Sequence, residues 1–70
     1  MEIRDIIADR LKDAGFGARI YRNAVFAYLR NRDIGTMEVA QALGGISDLV
    51  WMRQAADPYC WNRKGVTVRI

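Results

Sequence analysis

Gly44-Gly45 and Pro58, the only proline, are the strongest punctuation in this chain of 70 residues. Adjacent glycines lower the cost of backbone conformations through which a helix cannot continue. A proline removes a donor and crowds the preceding turn. Residues 36–58 therefore read as a short helix, a Gly-Gly break, a second helix and a stop. Thr36 is expected as the N-cap, with Glu38 in the first turn where negative charge suits the helix dipole. Val39, Ala40 and Leu43 face inward. The next helix is expected from about Ser47 to Ala56. With residues about 100° apart around its axis, Leu49, Trp51, Met52, Ala55 and Ala56 form its core-facing arc. Ser47, Val50, Arg53, Gln54 and Asp57 fall on the opposite arc.

The flanking segments are read in the same way. Ile3, Ile6, Ile7, Leu11 and Ala14 recur at helical spacing among charges, which predicts an amphipathic helix over residues 2–14, ended by Gly15-Phe16-Gly17. Residues 18–32 are expected as a second helix with a stripe of Tyr21, Ala24, Val25, Tyr28 and Leu29. Arg22, Phe26 and Arg30 make a second stripe, with Phe26 covered by the first helix. Asp33-Ile34-Gly35 is a connector, in which Ile34 can add a residue or two of pairing to a small sheet. After Pro58, Tyr59-Cys60-Trp61 is β-prone and residues 62–65 form a turn, with Gly65 at positive φ. Val66, Val68 and Ile70 then alternate with Thr67 and Arg69, a period of two. Trp51 and Trp61 are expected to pack where the last helix meets this ribbon. The fold class expected is mostly α with a small β-hairpin, in one domain over residues 1–70.

Composition limits the chemistry. The apolar fraction is 51%, enough for one core, although a chain this short buries only about 60% of its unfolded surface. There is no histidine, and Cys60 is alone. An imidazole base, a histidine-bearing zinc site and an internal disulfide are thereby excluded. No glycine-rich phosphate loop and no convincing carboxylate pair is present, so neither catalysis nor a cofactor, metal or small-molecule substrate is expected. Cys60 suits a reducing compartment as a small buried hydrophobe. No stretch approaches the roughly 20 apolar residues of a membrane span, and the amino terminus lacks a signal-peptide core. A cytoplasmic protein is the expectation.

The net charge of +3 is unevenly spread. Arg19, Arg22, Arg30 and Arg32 face one acid, Asp33, in residues 18–35, and Arg63, Lys64 and Arg69 face none in residues 59–70. Residues 36–58 carry Arg53 against Glu38, Asp48 and Asp57. A slightly acidic centre with basic flanks is a pattern able to clamp phosphates from the sides.

Residues 20–70 resemble the winged helix-turn-helix family of DNA-binding domains. The best-matched part is YRNAVFAYLRNRDIGTMEVAQALGG, in which Thr36, Val39, Ala40, Leu43 and Gly44 fit the family's T-x-x-V-A-x-x-L-G. The resemblance implies a three-helix core with a C-terminal wing. Residues 36–57 would be the helix-turn-helix, residues 59–70 the wing hairpin, and residues 1–17 an added N-terminal helix. It implies base reading by Ser47, Val50, Arg53 and Gln54, since guanidinium and carboxamide groups match guanine and adenine edges two bonds at a time. Thr36 would touch phosphate, and Arg63 and Lys64 at the wing tip, with Arg69 behind them, would reach backbone or minor groove. Two features depart from the family: a reading helix with one basic residue and two acids, and Gly45 where a hydrophobic residue is usual.

The function expected is a small sequence-specific binder of double-stranded DNA, a transcriptional regulator from a phage, plasmid or bacterium. A homodimer on a two-fold site is expected, with the first helix or the Phe26 stripe as its surface. Two alternatives stand beside it: a winged protein-interaction module that inhibits or adapts a larger complex, and an accessory DNA-binding domain of a replication or recombination machine.

Overall fold

Residues 2–70 are described by a computed structural model. The amphipathic spacing near the amino terminus forms helix α1, Ile3–Asp13, which buries Ile7, Ala8 and Leu11. Its end is a full Schellman stop: Gly15 N–H donates to Lys12 O and Phe16 N–H to Leu11 O, with Gly15 at φ +95°. Helix α2, Thr36–Leu43, buries Val39 and Leu43 and ends at Gly44, whose φ is +63°. Its N-cap is Gly35, so Thr36 is the first helical residue. Glu38 reaches back to accept from Gly35 N–H at 3.1 Å.

The remaining elements form an antiparallel sheet: β1, Gly17–Ile20; β2, Ala24–Tyr28; β3, Trp51–Asp57; and β4, Cys60–Arg69. The strand order is β1-β2-β4-β3, which leaves β1 and β3 as edges. Register rows such as Ile20–Val25–Val68–Met52 face the helices, and rows such as Arg19–Phe26–Thr67–Arg53 face away. Ile7 and Leu11 of α1, Val39 and Leu43 of α2, and Val25, Ala27, Val66 and Val68 of the sheet make one core, joined by Ile34. The result is two layers, with helices on one face of the sheet and, among the described residues, no element on the other. Among the described residues no helix is long and apolar enough to cross a membrane.

This architecture overturns the three-helix core with a wing. Residues 18–32 form no helix: they hold the β1–β2 hairpin as far as Tyr28 and then a turn closed by a bridge between Leu29 and Arg32. Ala24, Val25, Phe26 and Ala27 are all buried because β2 is a central strand, and a short run buried on both sides has no periodicity that separates strand from helix. The expected reading helix is also absent. Gly44–Leu49 is a short 3₁₀ helix, and the rest is β3. The segment Trp51–Asp57 contains good helix formers, but pairing along β4 from Trp51–Arg69 to Ala56–Lys64 overrides that local preference.

The arcs assigned to that helix fail with it. Leu49, expected in the core, is 71% exposed, while Val50, expected to read bases, packs against the core. The expected turn at residues 62–65 lies inside β4, and the hairpin instead reverses at Pro58-Tyr59. Gly65 has no positive φ. Its role is close approach, since a Cβ there would sit 2.6 Å from Phe26 Cζ.

Side-chain bonds tie the layers together. Arg4 Nη1 donates from α1 to Tyr21 O and Arg22 O at 3.1 and 2.6 Å, holding the β1–β2 turn. The loop before α2 is fastened to β4: Lys64 N–H donates to Asp33 Oδ1 at 2.7 Å, and Ile34 N–H to Lys64 O at 3.1 Å. Ile34 does not join the sheet as a paired residue; this single bond to Lys64 is its link to β4.

Candidate nucleic-acid interface

The face of the sheet away from the helices carries Arg19 on β1, Phe26 and Tyr28 on β2, Arg63, Thr67 and Arg69 on β4, and Trp51, Arg53 and Asp57 on β3. Alternation along each strand puts them there. The strands together hold Arg19, Arg53, Arg63, Lys64 and Arg69 against one acid, Asp57, whereas α2 and the 3₁₀ helix hold only the acids Glu38 and Asp48. With the three bases and three acids of α1 in balance, the sheet is the positive layer and the helix layer the slightly negative one.

Half of this face is closed by its own contacts. Asp57 is 1% exposed. It accepts from Arg19 Nη1 at 2.8 Å, Arg63 Nε at 3.1 Å and Tyr59 N–H at 2.8 Å, and it also pairs with Arg63 Nη2. Burial alone would raise this carboxyl group. The hydrogen bonds from Arg19, Arg63 and the Tyr59 amide overcome that effect and hold it well below the usual carboxylate range. The bond to Tyr59 N–H, two residues on, also shapes the Pro58-Tyr59 turn. Arg19 lies 4.3 Å from the centroid of the Tyr28 ring and 4.8 Å from that of Tyr59, and Arg63 lies 4.9 Å from Tyr28. Phe26 and Tyr28 stack with centroids 6.4 Å apart. Each ring covers a glycine, Phe26 over Gly65 and Tyr28 over Gly17.

The other half is open. A concavity of about 540 Å³ is lined by Trp51, Arg53, Ala55, Lys64, Thr67 and Arg69. Trp51 is 51% exposed. The Arg69 guanidinium sits 5.9 Å from its ring centroid, within cation–π range. Among the described residues no carboxylate is within ion-pair distance of Arg53 or Arg69. These two cations differ in this from Arg19 and Arg63.

The residues expected to act together are therefore redistributed. Arg53, Gln54, Lys64 and Arg69 all line the open concavity. Gln54 is committed elsewhere, however, its Nε2 donating to Ile34 O at 2.9 Å on the helix side of the sheet. Arg63 is locked to Asp57. Ser47 is half-buried in the 3₁₀ helix, Val50 packs on the core, and Thr36 opens α2, so none of the three shares a surface with Arg53 on the open face. On the surfaces expected to dimerise, Ile7 and Leu11 are in the core and Phe26 is 3% exposed, while the polar residues beside them stay at the surface. Trp51 and Trp61 do not pack together in a core, and Trp61 is 88% exposed at the far end of the hairpin.

Trp51, Arg19 and Thr67 carry this face without having been expected to, and Asp57, expected on an exposed arc, is buried in it. A strand reading of residues 51–57 would have aligned Trp51, Arg53, Ala55 and Asp57 on one side. The Asp-Pro pair after them is a turn signal in its own right. No family model matches the chain, and no curated protein or solved structure matches it.

Proposed function

We propose that this chain is a non-catalytic nucleic-acid-binding module that works through the open face of its sheet. The observation that carries the reading is the pair Arg53 and Arg69, two guanidinium groups without acidic partners among the described residues, both next to a half-exposed tryptophan. An exposed cation left unpaired in a groove attracts phosphate, and the neighbouring indole offers a π-face to a base. The acids of α2 and the 3₁₀ helix belong to the opposite layer. A polyanion approaching the sheet therefore meets positive charge first. Reading a major groove with a helix after a Gly-Gly turn is no part of this proposal, because that helix does not form.

The test is fluorescence anisotropy with labelled mixed-sequence nucleic acid over a range of salt. Binding should weaken steeply as salt rises. Arg53→Ala with Arg69→Ala should reduce the magnitude of the log–log slope by about one for each phosphate that is no longer neutralised. Lys12→Ala, on the helix layer, should leave the slope unchanged. Flat curves at low salt would remove the reading.

A protein-interaction module is favoured by a different observation, the exposure of Tyr59 and Trp61 at the β3–β4 turn. If that surface is the functional one, Trp61→Ser abolishes partner capture and leaves nucleic-acid binding intact.

A further inference from the structure

We infer that the occupant of the open concavity is a single-stranded nucleic acid, with one unpaired base stacked on Trp51 and its flanking phosphates held by Arg53 and Arg69. This rests on the nucleic-acid reading above and deepens it. Three features of the site select an unpaired strand. First, the concavity of about 540 Å³ is open along the sheet face, so a strand laid across it can place one base inside. Its floor is made of small side chains, Ala55 and Thr67, so a planar ring has room beside the indole. Second, a base inside a duplex reaches such a pocket only by leaving its stack, which costs unpairing energy that a single strand does not lose. Third, both cations adjoin the indole, one along its strand and one across it. Arg53 is two residues from Trp51 on β3, and Arg69 is its direct partner on β4. Positive charge that follows a backbone, with aromatic faces between, binds single strands without demanding a sequence.

The closed half of the same sheet supplies a contrast within one molecule. There Arg19 and Arg63 lie over Tyr28 and are neutralised by Asp57. The corresponding aromatic–arginine set at Trp51 has no such acid. Its charge is therefore free to meet an anion.

The test uses Trp61→Phe, which leaves Trp51 as the only indole and alters a residue that is almost wholly exposed. Its tryptophan emission is followed during titration with an oligothymidylate of about eight nucleotides, a length within the range of a single small site. The same titration is run with an abasic oligonucleotide of equal length and with a hairpin duplex. The expected result is strong quenching by oligothymidylate, none by the abasic strand, and at least about tenfold weaker binding of the duplex. By anisotropy, Trp51→Ala should lose about tenfold in affinity for oligothymidylate. Equal binding of duplex and single strand with unchanged Trp51 emission would overturn the single-strand inference and leave the broader reading standing. Absence of binding to all three at low salt would overturn both.

Discussion

Arg19 and Asp57 stand on the two opposite edge strands of the sheet, yet their side chains meet over its open face, Nη1 to Oδ1 at 2.8 Å. The contact coincides with a break in pairing. Register along β3–β4 is regular as far as Ala56–Lys64 and then jumps to Asp57–Cys60. Bulged positions bend a strand and increase its twist, which carries the end of the hairpin toward β1. Arg63, within the bulged stretch, supplies the second guanidinium. The hairpin tip, both edges and the rings of Tyr28 and Tyr59 are thus fixed around one buried carboxylate.

Removing that carboxylate should be costly. Asp57→Ala leaves Arg19 and Arg63 partly buried without a counter-ion and removes the acceptor for Tyr59 N–H. Unpairing a buried ion of this kind costs about 3–5 kcal/mol, and the exposure of Arg19 places the expectation near the lower figure. A domain of this size has little more than that in reserve. Urea unfolding followed by circular dichroism should show a midpoint near zero denaturant for Asp57→Ala.

Acid should act through the same group. The Asp57 carboxyl titrates below its ordinary value of 3.8 when folded, so the folded state binds its proton less readily than the unfolded state. Its contribution is complete above about pH 5 and is lost as pH falls below the unfolded value toward the folded one. Glu38, lowered by its bonds from Arg32 and from Gly35 N–H, acts in the same direction. Stability measured from pH 7 to pH 2 should be level at first and then fall. In Asp57→Asn the acid limb should be shallower, and an unchanged limb would show that other carboxylates carry it.

Gly65→Ala and Gly17→Ala should differ in a defined order. A Cβ at Gly65 meets both the Phe26 ring and the Ala27 carbonyl oxygen of the neighbouring strand, whereas at Gly17 the nearest atoms all belong to the ring of Tyr28. A side-chain ring, even one held by Arg19 and Arg63, can shift at the expense of those contacts, whereas a strand backbone cannot move without breaking its ladder. Overpacking of this kind costs about 1–3 kcal/mol, the upper part of that range belonging to Gly65→Ala. Denaturant midpoints of the two variants decide the order.

Arg63→Ala and Arg53→Ala should separate stability from binding. Arg63 is bonded to a buried acid and Arg53 to none, so Arg63→Ala should lower the unfolding midpoint. Arg53→Ala should leave stability within about 0.5 kcal/mol, as is usual for exposed positions away from a specific contact. Its effect should appear in nucleic-acid affinity. The reverse pattern would mean that the two halves of the face have been assigned the wrong way round.

Leu43 and Leu49 offer a parallel comparison for the core. Leu43 is fully buried at the end of α2 and Leu49 is mostly exposed at the end of the 3₁₀ helix. Leu43→Ala should cost about 2–5 kcal/mol. For Leu49→Ala the expected change in midpoint is within experimental error.

Local chemistry settled several elements before any tertiary contact. The charged and apolar residues of Ile3–Asp13 alternate at helical spacing, and Gly15 and Gly44 supply the positive φ that ends each helix. Pro58 marks a reversal, and Val66, Thr67, Val68 and Arg69 already show the period of a strand. These signals depend on neighbours a few residues away, so they are readable along the chain. The rest was decided by partners far off in sequence. Ala24–Tyr28 is a strand because β1 and β4 flank it, and Trp51–Asp57 abandons its helical preference because β4 offers a continuous ladder. That choice moved Arg53 and Trp51 to one face and Gln54 to the other, since a strand alternates where a helix would have kept Arg53 and Gln54 side by side. The unpaired arginines on the sheet thus arise from non-local hydrogen bonding, whose energy no short window of residues contains.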